Sequence, residues 1–558
     1  MRKTKIFSIL LTVTLVTSLM AGCGSSKKSE PVATTKTLDK SPITLTFYSA
    51  DGNAKSSNFT DAVAKEITKR TGVTLKIQYP VGGTSKVPLM IAGGEYPDLI
   101  YAKGDESKIV SAKGLISLDK YLGKAENIKK LYGTYLPRLK DSVDDPTTYT
   151  VGSFGVSPIG TEIWTPGGLF QIQHAVLKDQ GYPKLQTLKE YGDAIKTYMQ
   201  KYPTINGQKT IGLSLCADDW RWLITVGNPS GSAVGLPGDG QWAIDPDTNK
   251  AQYKFMLPEI KEYYRWLNGM NASGVLDPES FTQKFDQYKA KLTSGRVLAI
   301  SDAGWDYADA TASLNKINQQ ERTFATLPVV LDAKYKDASM KDLGWGGGTG
   351  VAITTSCNNP DRAMQFLDWM ASDEAQILTN WGIEGVNYTI VDGKRVISAA
   401  ERQKSMNDPD YGTDTGVGLY TYPFPQRGQG VKDPTGQYYS TATTQSITDN
   451  YNSAMKETLK AYGATMEKDM YPKTSEFKTS PFGAAWMTTI PQDSDLTIIL
   501  KKADDESQKS IPKAILAKPA DFDKVWDEYI ATLKKIEIEK AGTDFTKLLA
   551  DKSQLWSK

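Results

Sequence analysis

Apolar and polar residues alternate at the start of the mature sequence. Ile43, Leu45 and Phe47 interleave with Thr44, Thr46 and Tyr48, which predicts a strand with one face in a core. A polar loop, Ser49 to Lys55, follows it. Phe59, Ala62, Val63 and Ile67 then recur at helical spacing, and Gly72 supplies the residue best able to end a helix in the left-handed conformation. Val73, Leu75 and Ile77 return to alternation, so residues 43–79 read as one βαβ unit. Val87 to Ala92 predicts a short helix stopped by Gly93-Gly94, and Leu99-Ile100-Tyr101 a short buried strand. The loop that leaves this strand, Lys103 to Glu106, is polar, and open α/β sheets place ligands at such loops.

The same logic runs on. Thr187 to Tyr202 carries Leu188, Tyr191, Ile195 and Tyr198 on one helical side. Ile211–Leu215, Val297–Ile300 and Val351–Thr354 are short apolar runs that predict strands, and Phe324–Val330 predicts a crossover strand. Gln241–Ile244 and Ala251–Phe255 flank a turn-rich Asp245-Pro-Asp-Thr-Asn-Lys250 and predict a hairpin. Helices are expected at Phe255–Leu267, Phe281–Leu292, from Asn359-Pro360 onward, and from Asp521 through Ile536. Residues 401–445 are rich in Gly, Pro, Tyr, Asp and Thr and read as mostly loop. Strands alternating with helices make the fold class α/β.

The first residues carry a different signal. Met1-Arg-Lys-Thr-Lys5 is basic, Ile6 to Leu19 is apolar, and Leu19-Met-Ala-Gly-Cys23 closes with small residues before a cysteine. That is a secretory signal, too short to make a good spanning helix. The small residues before Cys23 resemble the lipobox of bacterial lipoproteins, with Met20 where a leucine is usual. Residues 1–22 are then the lipoprotein signal peptide, and Cys23 is the lipidation site that holds the chain on the extracellular face of the cell membrane. Residues 23–41 are Ser, Lys, Thr and Pro with almost nothing apolar and read as a flexible tether.

Composition narrows the chemistry. The 558 residues allow two lobes with separate cores. Net charge is +2, and near neutral without Arg2, Lys3 and Lys5, so no basic field for nucleic acid exists. The single histidine, His174, argues against zinc hydrolases and histidine triads, and no metal or cofactor is expected. Asp245, Asp247 and Asn249 begin like a calcium loop, but Lys250 and Met256 stand where Gly and Glu belong, so a turn is the better reading. Gly346-Gly-Gly-Thr-Gly350 lacks the Gly-Lys-Ser/Thr of a phosphate loop. Cys216 and Cys357 are either a pair or two buried thiols. Twelve Trp and 28 Tyr suit large cores or surfaces that stack on flat ligands.

The order of these features resembles the extracellular solute-binding proteins of ABC transporters, carbohydrate type (family 1), as found among Gram-positive lipoproteins. The resemblance rests on the lipobox, the tether, the first βαβ unit and Gly94-Glu-Tyr-Pro-Asp-Leu-Ile100. It extends through Leu292-Thr-Ser-Gly-Arg-Val-Leu-Ala-Ile300, Asn359-Pro-Asp-Arg-Ala-Met-Gln-Phe-Leu-Asp-Trp369 and Trp381-Gly-Ile-Glu-Gly385. It implies a two-lobed periplasmic-binding-protein-like fold of type II, with a hinge between the lobes and the ligand in the cleft. Lobe 1 would hold 42–160 plus 345–400, and lobe 2 would hold 165–335 plus 401–558. The implied partners are a carbohydrate, an oligosaccharide by preference, and the permease subunits of an importer, with the chain acting as a monomer. An extracellular carbohydrate-active enzyme, or a binding protein for a non-sugar solute such as a peptide, are the competing readings.

Sugar sites combine aromatic faces with carboxylates, amides and cations that fork onto hydroxyls. Four post-strand loops have that composition: Asp51, Asn53 and Lys55; Lys103 and Asp105; Asp219, Trp220 and Trp222; and Trp305, with Asp302 and Asp306 beside it. Trp164 and Trp345 are further candidates. Ala102 stands where the distant maltodextrin-binding relative stacks a Trp, a departure from that relative's sugar-stacking pattern that leaves the identity of the ligand open.

Overall fold

The computed structural model describes residues 38–51, 58–80 and 84–557; the expected signal peptide, Cys23, most of the expected tether, and the candidates Asn53 and Lys55 lie outside these. Nine strands make the two principal sheets: β1 (Ile43–Ser49), β2 (Val73–Gln78), β3 (Leu99–Tyr101), β4 (Thr150–Gly152), β5 (Gln171–Gln173), β6 (Ile211–Ser214), β7 (Val297–Ile300), β8 (Phe324–Thr326) and β9 (Gly350–Ile353). The first sheet has the order β2-β1-β3-β9-β4, with β1 parallel to β2 and β3, and β9 antiparallel to its neighbours. The second has the order β8-β5-β7-β6, with β7 parallel to β6 and antiparallel to β5. The chain thus builds most of sheet one, crosses to sheet two, and returns at β9.

The first βαβ unit forms as its pattern predicts. Asp61 caps the helix Ala62–Thr71, its carboxylate accepting from the Ala64 amide at 2.8 Å, and Gly72 closes it at φ 74°. A side chain at Gly72 would collide with the backbone at Lys40, so only glycine fits there. Asp98 then ties β1 to the turn before β3: its carboxylate accepts from the Thr46 amide at 2.8 Å and the Thr46 hydroxyl at 2.7 Å. Those bonds aim the end of β3, and with it Lys103, at the loop leaving β1.

Around sheet two lies the larger core. Phe170, Tyr191, Leu213, Tyr263 and Leu298 pack there with Ile511, Trp526, Phe545 and Leu549 from three C-terminal helices, Asp495–Leu516, Phe522–Lys535 and Ile538–Trp556. The first and last of these are absent from the sequence reading. Asp521 and Asn359 sit at helix starts as expected, but neither side chain makes a capping bond.

Residues 420–424, within the 401–558 stretch expected with lobe 2, pack on sheet one. The Phe424 ring lies 5.4 Å from Phe47 and 5.8 Å from Phe366, Tyr420 bonds Asp61, and Tyr422 bonds Tyr101. Aromatic anchors spaced two apart (Tyr420, Tyr422, Phe424) hold a loop-rich segment down without regular structure. The helix Ser453–Tyr462 lies on the sheet-two side, where the Thr458 hydroxyl and the His174 ring are 2.7 Å apart. Burial pushes His174 down to about 3, so the one histidine is a neutral core residue. Cys216 and Cys357 are free thiols.

Candidate functional site

Four loops leaving strand ends converge between the sheets. The loop after β3 turns through Lys103 at φ 53° and Gly104 at φ 102°, which lifts the Lys103 side chain out of sheet one. Its ammonium donates to Asp51, after β1, at 2.7 Å, and lies 5.1 Å from the centre of the Trp220 ring, which belongs to the loop after β6. That loop turns at Asp219, itself at φ 52°. Trp220 stacks on Trp305, in the loop after β7, with centroids 5.8 Å apart and planes at 25°. Trp305 is 59 % exposed, far more than any other candidate Trp, so a broad apolar face stands in solvent beside a polar cluster.

Arg221 holds this pair in place. Its guanidinium lies 4.3 Å from the Trp220 ring centre and 3.5 Å from that of Phe285, and its Nε donates to both carboxylate oxygens of Asp306, at 3.2 and 3.0 Å. Asp306 follows Trp305 directly, so one arginine links both platform loops. Asp302 closes the base: its carboxylate accepts from the Tyr288 hydroxyl at 3.0 Å and from the Ala303 amide at 2.7 Å. Burial first, then the charge of Asp306, pushes Asp302 up to about 8. Across the cleft Glu106 is buried and raised by desolvation, although the Thr349 hydroxyl and the Gly104 amide donate to it.

Asp302 therefore carries a pH signature. Its folded pKa lies above the unfolded one, so the native state holds an extra proton between about pH 4 and 8, and the stability it contributes is lost as pH rises through that window. Urea titrations at pH 5, 7 and 9 should show wild-type stability falling with pH more steeply than that of Asp302→Asn, the difference reaching at most about 1.4 kcal/mol per pH unit.

The remaining candidates fall elsewhere. Asp105 pairs with Lys108 at 2.6 Å and does not cap its helix through its side chain. Asp219 is exposed and makes the turn that presents Trp220. Trp164, Trp222 and Trp345 are core residues: Trp164 packs edge-on against Tyr438, Trp222 against Phe255, and Trp345 lies between Tyr132 and Tyr135 with its indole N–H donating to the Phe154 carbonyl. A Trp beside glycines looks the same in sequence whether it fills a core or lines a cleft. Arg221, Phe285 and Glu106 were not singled out, and only the Asp218-Asp-Trp-Arg-Trp222 run hinted at the first of them.

Two α/β layers whose post-strand loops meet over a shared aromatic pair have the architecture of a two-lobed binding protein. A family model described as bacterial extracellular solute-binding protein matches residues 62–401, more than half of the chain, and the chain belongs to that family. Lipoprotein LipO of Bacillus subtilis (strain 168) is 22% identical over 228 residues, which are 39% of this chain and 43% of that protein, so the match spans less than half of the relative's length. Solved structures share the two-lobed fold over nearly their whole length. The alginate-binding protein AlgQ2 without calcium ion has a TM-score of 0.64 at 17% identity, covering 93% of this chain and 99% of that one. An HMO-binding solute-binding protein from Bifidobacterium longum infantis reaches 0.65 at 14% identity, over 92% and 99%. The S. pneumoniae substrate-binding protein FusA, an EF-hand mutant in complex with fructo-nystose, reaches 0.66 at 17% identity, over 91% and 99%.

Proposed function

We propose that this protein is the surface-anchored substrate-binding component of an ABC importer and binds a carbohydrate by closing two lobes on it. The observation that carries this reading is the exposed Trp305 face stacked on Trp220, with the Asp51–Lys103 pair of the other lobe beside it. An aromatic plane takes the apolar face of a pyranose, and flanking carboxylates and ammonium groups take its hydroxyls. A ligand touching both sides favours the closed form, because only there does it make both sets of contacts. Three structures that share the fold are described as alginate-binding, HMO-binding and in complex with fructo-nystose, which supports a carbohydrate as the ligand class. Asp302 and Asp306 are engaged by Tyr288 and Arg221, so these carboxylates hold the platform instead of facing a scissile bond, which supports binding without turnover. The two lobes divide as residues 42–160 with 345–439, and 165–335 with 453–556, in line with the packing of 420–424 on sheet one.

A thermal-shift screen against mono-, di- and oligosaccharides tests the reading. A sugar that raises the melting temperature and is recovered unchanged supports it. A sugar that is consumed points to an enzyme, and stabilisation by peptides alone points to another solute; either result overturns it.

Anchoring through Cys23 belongs to the same proposal, with the membrane contact made by acyl chains on that residue. Cys23→Ser should move most of the protein from the membrane fraction to the medium. Fractionation with immunoblotting reads this directly, and a variant that stays with the membrane would remove Cys23 as the anchor.

A further inference from the structure

A second feature lies on the sheet-one side of the cleft. At the carboxyl ends of β1 and β2, residues 412–424 wall a cavity of 410 Å³ lined by Phe47, Ser49, Asp51, Tyr79, Tyr422 and Phe424, among others. The cavity opens to solvent, and 410 Å³ falls within the range of small-molecule sites. The outer ends of parallel strands are also where α/β sheets bind ligands. Five of its thirteen lining residues are aromatic, most of the others are aliphatic or glycine, and Ser49, Asp51 and the tyrosine hydroxyls supply the polar groups, a mixture that suits a sugar ring.

Two particulars separate it from a packing defect. Among the described residues the half-buried Tyr79 hydroxyl, which lines the cavity, makes no hydrogen bond, and as a protonated phenol at neutral pH it is a donor; burial and the nearby Asp51 charge push it up to about 12. Tyr420 and Tyr422 differ in this respect, each hydroxyl being tied to a neighbour, Asp61 and Tyr101. Asp51 lines the cavity and also accepts from Lys103 at 2.7 Å, and that ammonium lies over Trp220. The cavity and the tryptophan pair are therefore connected through a single ion pair.

We infer that this cavity is a terminal subsite for one end of a neutral or weakly polar oligosaccharide, whose other rings lie along Trp220 and Trp305. The inference rests on the carbohydrate reading above and adds the placement and minimum length of the ligand. One ring cannot occupy both places, so ligands of two or more rings bind more tightly than monosaccharides. Asp51 and Lys103 sit at the junction, where the linkage between rings passes.

Calorimetric titration of the full mature chain with malto-, cello-, manno- and fructo-oligosaccharide ladders, from one to six units, tests this. Leu419→Trp, at the half-buried lip of the cavity, fills it, and Tyr79→Phe removes only the free hydroxyl. In the wild type, affinity should rise at least tenfold along the ladder that binds. Leu419→Trp should cut that rise at least tenfold, and Tyr79→Phe roughly threefold to tenfold; unliganded melting temperatures equal to wild type establish that each variant is folded. Affinity independent of chain length, or a folded Tyr79→Phe and Leu419→Trp that keep the full rise, overturns the subsite while leaving sugar binding in place. Binding of no ladder at all overturns the carbohydrate reading itself.

Discussion

Trp305→Ala is expected to abolish the rise in melting temperature caused by the cognate sugar while leaving the unliganded protein folded. The indole is 59 % exposed and its ring contact is with Trp220, so the loss in fold stability should stay under about 1 kcal/mol. Binding should suffer far more. An aromatic anchor at the centre of a site is worth about 2–4 kcal/mol on truncation, which corresponds to roughly 30- to 1,000-fold in Kd. Titration calorimetry beside thermal melting separates the two effects. An unchanged Kd would remove Trp305 from the site; a lowered unliganded melting temperature with normal affinity would make it a packing residue.

Arg221→Ala is expected to damage both stability and binding. It takes the guanidinium from Asp306, a carboxylate already raised by burial, and from between the Trp220 and Phe285 rings. Breaking one side of a buried ion pair costs about 3–5 kcal/mol, because the remaining charge is left in a poorly solvating place. The deficit depends on pH. Without Arg221 the folded pKa of Asp306 rises further above its unfolded value, so the native state gains a proton as pH falls and part of the loss is recovered near pH 5. Arg221→Lys should restore little, since an ammonium neither forks onto the carboxylate nor stacks on both rings. Arg221→Met combined with Asp306→Leu should regain most of the stability and little of the affinity. Denaturation followed by tryptophan fluorescence at pH 5 and 7.5 checks these expectations, and a pH-independent loss would refute the assignment of the cost to Asp306.

Much of the architecture is legible in local patterns. The βαβ unit over residues 43–79, the Gly94 stop at φ 67°, the strand Leu99–Tyr101 and the hairpin around Asp245 all form where periodicity and turn chemistry place them. Each is decided by residues within a dozen positions, so no distant contact has to be known. The C-terminal helices are less legible: Asp495–Leu516 carries a proline inside it, and its apolar face has meaning only against Tyr253, Tyr264 and Trp526. The segment 420–424 is illegible for the same reason, since a loop sequence does not say which sheet its aromatics will reach.

At the site the division is sharper. The sequence by itself determined the family resemblance, the α/β class, and the four loops whose composition suits a sugar. It also marked Asp51, Lys103, Trp220 and Trp305, which do come together. Only the tertiary structure separated these from Trp164, Trp222 and Trp345, which share their chemistry and lie in cores. Only the tertiary structure, too, made Arg221 the link between two loops and left a cavity beside Asp51. The physical reason is range. Hydrogen bonding along the backbone and hydrophobic period act over a few residues and can be read in order, whereas solvent exposure and ion pairing are set by segments more than fifty residues apart in the chain, as with Asp51 and Lys103, 52 positions apart, and Arg221 and Asp306, 85 apart.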